Sequence, residues 1–266
     1  MDIIKTITDA GVIASVSSAA NAQKMAEAGV GAFIADTAAL AREIKAALPA
    51  LTVGCREQAD GVDFYIGEGS IALANNADEA KTAAEASASV IAFENADAQG
   101  GVAMLGAMSV AAPEAKFIVM GASDGLSYTA IPACIGWVDS DIDSAEDIAA
   151  EAAARMYASL GLTLAHVGIN AECEQEAVEV STAYAKLLGI KQKTGNSSCF
   201  AGSWVEVMKT PFLGERGHIA IGTRSLPRAI GFYNRIGVKF NMDTAKPVAI
   251  YFADEIGGFA IHLVQK

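Results

Sequence analysis

What this 266-residue sequence lacks first is a long uninterrupted apolar run. Hydrophobic residues make up 52% of it and mean hydropathy is +0.32. Yet Ala and Gly carry much of that character, and no stretch of 18 or more residues escapes a polar or charged break. A membrane-spanning helix is not expected. The opening MDIIKTITDAGVIASVSSAANA imitates a secretory leader, but Asp2 and Asp9 flank a very short apolar stretch, so no export signal is expected. Cysteine is sparse. Cys55, Cys134, Cys173 and Cys199 show neither Cys-x-x-Cys pairing nor framework spacing, which suits free thiols in a reducing cytoplasm. Positive charge is also short: the formal net charge of −12 argues against nucleic acid and anionic membrane as partners. Histidine is rarer still, with three in the chain and none before His166.

What is present is unevenly spread. Residues 1–160 hold 8 Lys/Arg against 22 Asp/Glu, whereas residues 161–266 hold 11 against 9. The first part is Ala-rich and poor in aromatics; the second contains every histidine. This predicts two domains, 1–160 and 161–266, with the boundary near Gly161.

The first part alternates short β-branched runs with Ala-rich amphipathic stretches. Strands are predicted at Val12–Val16, Ala32–Asp36, Leu51–Cys55, Val62–Ile66, Ser70–Ala74, Ser89–Phe93, Phe117–Gly121 and Ala133–Val138. Helices are predicted at Ala19–Ala28, Thr37–Leu48, Ala77–Ala86, Gly100–Ala111 and Ser144–Leu160. Such alternation implies a parallel α/β sheet or barrel, here a shortened (β/α)8-type barrel. The links Arg56–Gly61 and Gly67–Gly69 are too short for helices, so two helices should be missing.

Within it, Val90–Gly121 resembles the class I, pyruvate-type aldolases for 2-keto-3-deoxy-6-phosphogluconate (KDPG) and 4-hydroxy-2-oxoglutarate (KHG). Phe93, Ala96, Gly100–Gly101, Phe117 and Gly121 fix the register. The resemblance implies a Schiff-base lysine where this chain has Ala92, and an alanine offers no amine nucleophile. The family's proton-shuttling Glu falls on Ile34 and its first-strand Arg on Ser17. Its Gly-Thr becomes Cys55–Arg56, and its phosphate-cradling Gly-Gly-Ser reads Cys134-Ile135-Gly136-Trp137. Glu94 and Asp97 sit at the strand end that carried the lysine. The resemblance therefore implies an aldolase frame without its chemistry.

The second part is an internal repeat. AHVGINAECEQEAVEVSTAYAKLLGIKQK from Ala165 and GHIAIGTRSLPRAIGFYNRIGVKFN from Gly217 each give a strand with His, an amphipathic helix and a Gly turn at Gly189 or Gly237. Strand candidates follow at Ser198–Ala201 and Trp204–Met208, and at Val248–Phe252 and Phe259–Val264. The unit is βαβββ, duplicated, which makes the second domain α+β. Glu206 in WVEVM and His262 in AIHLV face away from apolar neighbours on alternating strands. A Glu there is costly to bury unless paired or metal-bound. Trp204 and Phe259 read as core, and Arg228 and Arg235 as exposed.

This arrangement resembles the vicinal oxygen chelate superfamily of glyoxalases and extradiol dioxygenases, and the text from Gly217 resembles bacterial fusions of such a domain to an aldolase barrel. The resemblance implies metal ligands on the first and last strands of each module: His166, Glu206, His218 and His262. Three imidazoles and one carboxylate suit Zn, Ni, Fe, Co or Mn. It further implies a metal-dependent lyase or isomerase acting on a small oxo- or hydroxy-carboxylate, with Glu206 or His262 moving a proton. Lys209, three residues beyond Glu206, and Arg216, two before His218, lie near strand ends and are candidates to meet a substrate carboxylate or phosphate. Glyoxalase has a Glu where this chain has His262. An aldolase and a non-enzymatic, metal-stabilised binding or assembly module are the alternatives. A homo-oligomer is expected.

Overall fold

The computed structural model describes residues 2–94, 98–121 and 125–266. The chain divides into two compact units: Met1–Ser159 with Pro227–Ile236, and Leu160–Leu226 with Gly237–Lys266. One division falls between Ser159 and Leu160, beside Gly161, and ten residues of the C-terminal part, Pro227–Ile236, count with the first unit.

The first unit runs α1 (Ile3–Ala10), β1 (Val12–Val16), α2 (Ala19–Glu27), β2 (Ala32–Ala35), α3 (Ala38–Ala47), β3 (Thr52–Cys55), β4 (Phe64–Tyr65), β5 (Ala72–Leu73), α4 (Ala77–Glu85), β6 (Val90–Glu94), α5 (Ala98–Ala111), β7 (Lys116–Met120), β8 (Cys134–Asp139) and α6 (Ile148–Leu160). Helices start where a side chain can take an orphan backbone N–H. Ser18 accepts from Asn21, Thr37 from Leu40 and Asn76 from Glu79. α6 begins at Ile148 rather than at Ser144 because residues 142–144 form a 3-10 turn and Asp147 Oδ1 accepts the Ala150 N–H at 3.0 Å.

The strands form one parallel sheet in the order β4-β3-β2-β1-β8-β7-β6-β5. Its two ends meet through a parallel bridge between Ile66 and Ile71, so the sheet curls into a TIM-like barrel. Inside lies an apolar cluster that includes Ile13, Ile34, Phe64, Val90, Ala92, Ile118 and Val138. Ile3, Ile4, Ile7 and Ala10 of α1 join it. The barrel is shortened more than expected. The β3–β4 and β4–β5 links carry no helix, and among the described residues β7–β8 carries only a 3-10 turn at Gly125–Ala130. β4 and β5 shrink to two residues each because neighbouring polar groups are used locally: Asp63 accepts from Lys45 Nζ and Val53 N, and Ser70 Oγ from Tyr65 N.

The second unit runs β9 (Thr163–Asn170), α7 (Glu174–Leu188), β10 (Gln192–Thr194), β11 (Ser198–Ala201), β12 (Val205–Met208) and β13 (His218–Thr223). It continues through α8 (Leu226–Arg235) to β14 (Phe240–Lys246), β15 (Ala249–Phe252) and β16 (Ala260–Gln265). The eight strands form a mixed sheet, β10-β11-β12-β9-β13-β16-β15-β14. Each half reads strand, helix, three strands. In each, the first strand lies parallel to the last, and the two first strands pair antiparallel at the centre.

Most of α8 belongs to the first unit, which overturns the expectation that its arginines are exposed. Arg228 is buried, and its guanidinium donates to Thr8 O, Ser159 O and Ile135 O at 3.2, 3.2 and 3.4 Å. Thr8 and Ser159 lie in the last turns of α1 and α6, where unpaired carbonyls gather and a cation is favoured. Arg235 Nε donates to Gly29 O at 2.7 Å, just beyond α2. Trp204 is likewise not core: it is 60% exposed in the turn before β12. No helix among the described residues is long and apolar enough to cross a membrane.

Candidate metal centre

Register and alternation bring the four expected ligands together. Gly168 of β9 stands opposite Glu206 of β12 on one side and His218 of β13 on the other. Two residues along, His166 stands opposite Ala220, Ala220 opposite His262, and His262 opposite Tyr251. Residues i and i+2 share a sheet face, so Glu206, His218, His166 and His262 occupy two adjacent rows of one face. On the other face, Val205 and Val207 pack with Ala177 and Ala185 of α7. Small residues between the ligands leave room for the rings to converge.

Two glycines are required for this. A Cβ on Gly168 would stand 2.0 Å from the His218 ring, so only a missing side chain admits that imidazole. Gly217 has φ +100°, and a Cβ there would lie 2.1 Å from Gly168 O. His218 thereby enters its strand hard against β9. The loop before it is pinned by Asn170, whose Nδ2 donates to Phe212 O and Gly214 O, while its Oδ1 accepts from Phe212 N.

His166 Nε2 lies 3.0 Å from Glu206 Oε2 and 3.3 Å from His218 Nε2; His218 Nε2 lies 3.3 Å from the same Oε2. One ligating nitrogen from each of the three histidines falls within 4.8 Å of the others. Donors about 2.0–2.1 Å from one first-row ion stand roughly 2.9–3.4 Å apart between octahedral and tetrahedral angles, so the spacings among His166, His218 and Glu206 fit a shared ion, with His262 beside them. His218 Nδ1 and both ring nitrogens of His262 are buried without a hydrogen-bond partner. Such orphaned atoms are costly unless something else engages them. The donor set of three nitrogens and one carboxylate oxygen suits a transition metal rather than Ca or Mg.

Protonation states agree with that fit. Burial would push the Glu206 carboxyl up, but hydrogen bonds with His166, His218 and Ser198 outweigh it and hold the group well below the usual carboxylate range. Burial, reinforced by the neighbouring imidazoles of His218 and His166, pushes His262 down to about 4. An ionised carboxylate and a neutral imidazole are the forms that ligate. Access is one-sided: His218 is 1% exposed, whereas the side chains of His166 and Glu206 are 18% and 16% exposed.

Two further residues shape the site. Ser198 Oγ donates to Glu206 Oε1 at 2.6 Å. Tyr251 stacks on His262 with centroids 4.5 Å apart and planes 11° from parallel. Its phenol is pushed up to about 12, by burial first and then by the Glu206 charge. Sequence reasoning placed both on strands but gave them no role. Knowing that β11 and β15 flank the ligand strands would have been needed, and only sheet register supplies that.

Lys209 and Arg216 do not join the cluster. Lys209 Nζ pairs with Glu174 of α7 at 2.6 Å, because its position alternates with Glu206 onto the helix-covered face. Arg216 is exposed; its backbone N–H donates to Gly258 O at 2.8 Å, and its stem lies against Gly258. In the barrel, Ala92 is completely buried in the apolar cluster. Lys81 pairs with Glu85 on an exposed helix face, and Lys116 opens β7 at its opposite end. Glu94 lies 4.0 Å from Arg56, which binds Asp36 at 2.8 Å. Asp97 and Ala96 lie outside the described residues.

No protein-family model and no curated protein matches the chain. Among solved structures, the chain is similar to a 2-keto-3-deoxy-6-phosphogluconate aldolase from Zymomonas mobilis. Identity is 18% and the TM-score 0.49, over 57% of this chain and 95% of that one. It is also similar to a 4-hydroxy-2-oxoglutarate/2-dehydro-3-deoxyphosphogluconate aldolase, at 20% identity and a TM-score of 0.48, over 58% of this chain and 96% of that one.

Proposed function

We propose that the second unit is a metal-binding domain of the vicinal oxygen chelate type, holding one divalent transition metal through His166, Glu206, His218 and His262. The observation that carries this reading is the convergence of the chain's three histidines and one ionised carboxylate on a single sheet face. Two βαβββ halves joined through their first strands support the family assignment, since a ligand at each first and last strand then falls at the centre of the sheet.

Bound metal would supply Lewis-acid polarisation of a substrate oxygen. The chain's own contribution is to hold the ligands in their binding protonation states, to bury one side of the site, and to leave His166 and Glu206 within reach of solvent. A small oxo- or hydroxy-carboxylate is the proposed substrate class and a lyase or isomerase reaction the proposed chemistry, with Glu206 or His262 moving the proton. Lys209 is not part of this proposal, being spent on Glu174. Arg216, exposed two residues before His218, is the proposed contact for a substrate carboxylate.

The test is elemental analysis of untagged full-length protein purified without chelator, with His218→Ala in parallel. About one equivalent of Zn, Ni, Fe, Co or Mn is expected in the wild type, with most of it lost in the variant. A wild type that takes up no transition metal even after reconstitution overturns the proposal.

A further inference from the structure

The two oxygens of Glu206 have different surroundings. Oε2 faces His166 and His218 at 3.0 and 3.3 Å. Oε1 accepts the Ser198 hydroxyl at 2.6 Å. Ser198 is 3% exposed and sits on β11, where Phe200 stands opposite Glu206, so Ser198 is its diagonal neighbour on the same face. A hydroxyl has one proton to donate. Here that proton goes to a charged acceptor, which makes a short and strong bond.

We propose that Ser198 is a positioning residue that makes Glu206 a one-oxygen metal ligand. The inference rests on the metal-centre reading above. While Oε1 is held by Ser198, only Oε2 can reach an ion shared with the imidazoles, and one coordination position stays available to an outside ligand. Without the hydroxyl, the carboxylate can rotate and bring both oxygens to the ion, which fills that position. Groups that orient a metal ligand in this way typically change metal affinity about 10–100-fold.

The experiment is a cobalt(II) titration of the full-length wild type, Ser198→Ala and Ser198→Thr, reading affinity and visible absorption together. In Ser198→Ala the expected result is binding weakened about 10–100-fold, with a fall in d–d absorption intensity as coordination number rises. Ser198→Thr, which keeps the hydroxyl, should return both toward wild type. A purely structural role would lower the melting temperature and leave the cobalt spectrum unmoved. An unchanged spectrum in Ser198→Ala, whatever its affinity, or no recovery in Ser198→Thr, overturns the inference while the metal centre stands. A wild type that binds no cobalt overturns both. Should Ser198→Ala not fold, Ser198→Cys, with its weaker donor, takes its place with the same expected spectral change.

Discussion

At the scale of single residues, the site depends as much on what is missing as on what is present. Gly168 is the clearest case, because its absent side chain is the space the His218 ring occupies. Gly168→Ala is expected to displace that ring, weakening metal binding at least about tenfold and destabilising the protein by about 1–3 kcal/mol through overpacking. Metal titration and thermal melting of the variant would show both effects; wild-type affinity would contradict the packing argument. His262 gives a pH prediction. Its imidazole is pushed from 6.5 to about 4 in the folded protein, so on acidification the unfolded chain takes up the proton first. Stability of metal-free protein should therefore fall as pH drops from about 6.5 toward about 4, and this contribution should level off below that. Chelator-treated wild type and His262→Gln, melted across that range, should differ in slope, and equal slopes would argue against the buried neutral imidazole.

At the scale of elements, α8 shows how sequence periodicity can mislead. Arg228 and Arg235 lie on one face of an amphipathic helix, the pattern of a solvated stripe. That face instead meets the C-terminal turns of α1 and α6 and the Ile135 carbonyl of β8, whose oxygens accept from the Arg228 guanidinium. Arg228→Met would leave three backbone carbonyls without their donor, and Arg228→Lys would not restore the forked geometry. Each is expected to cost about 3 kcal/mol, on the scale of hydrogen bonds to charged groups. Chemical denaturation would measure it, and a loss below about 0.5 kcal/mol, as for ordinary surface changes, would mean the guanidinium is not the cap. The strands were more legible than this helix. β1 was readable to the residue, because a β-branched run bounded by turns admits few alternatives. β4 and β5 were overread, because Asp63 and Ser70 are committed to local bonds that a pattern of residue types does not reveal.

At the scale of the whole molecule, the two units place their chemistry differently. The parallel sheet encloses an apolar cluster, and Ala92 lies inside it. Incubation with pyruvate and borohydride is expected to add no mass, because the described interior offers no amine to form an imine. A pyruvyl adduct on a barrel residue would reverse that conclusion. The mixed sheet instead carries polar groups gathered at its centre, with His166 and Glu206 partly exposed, and it is there that the proposed metal would sit.

The sequence by itself determined the alternation of strands and helices, the duplicated βαβββ order and the four residues of the proposed centre. The first two follow from local periodicity; the four residues follow from the resemblance to the vicinal oxygen chelate superfamily, with the rarity of histidine beside it. Only the tertiary structure decided which oxygen of Glu206 faces the imidazoles, that Ser198 and Tyr251 flank them, that Lys209 turns to Glu174, and that Arg228 is buried. Those outcomes depend on which strands are neighbours and on the space beside a glycine or a helix end. Such relations join residues far apart in the chain, and no local pattern encodes them.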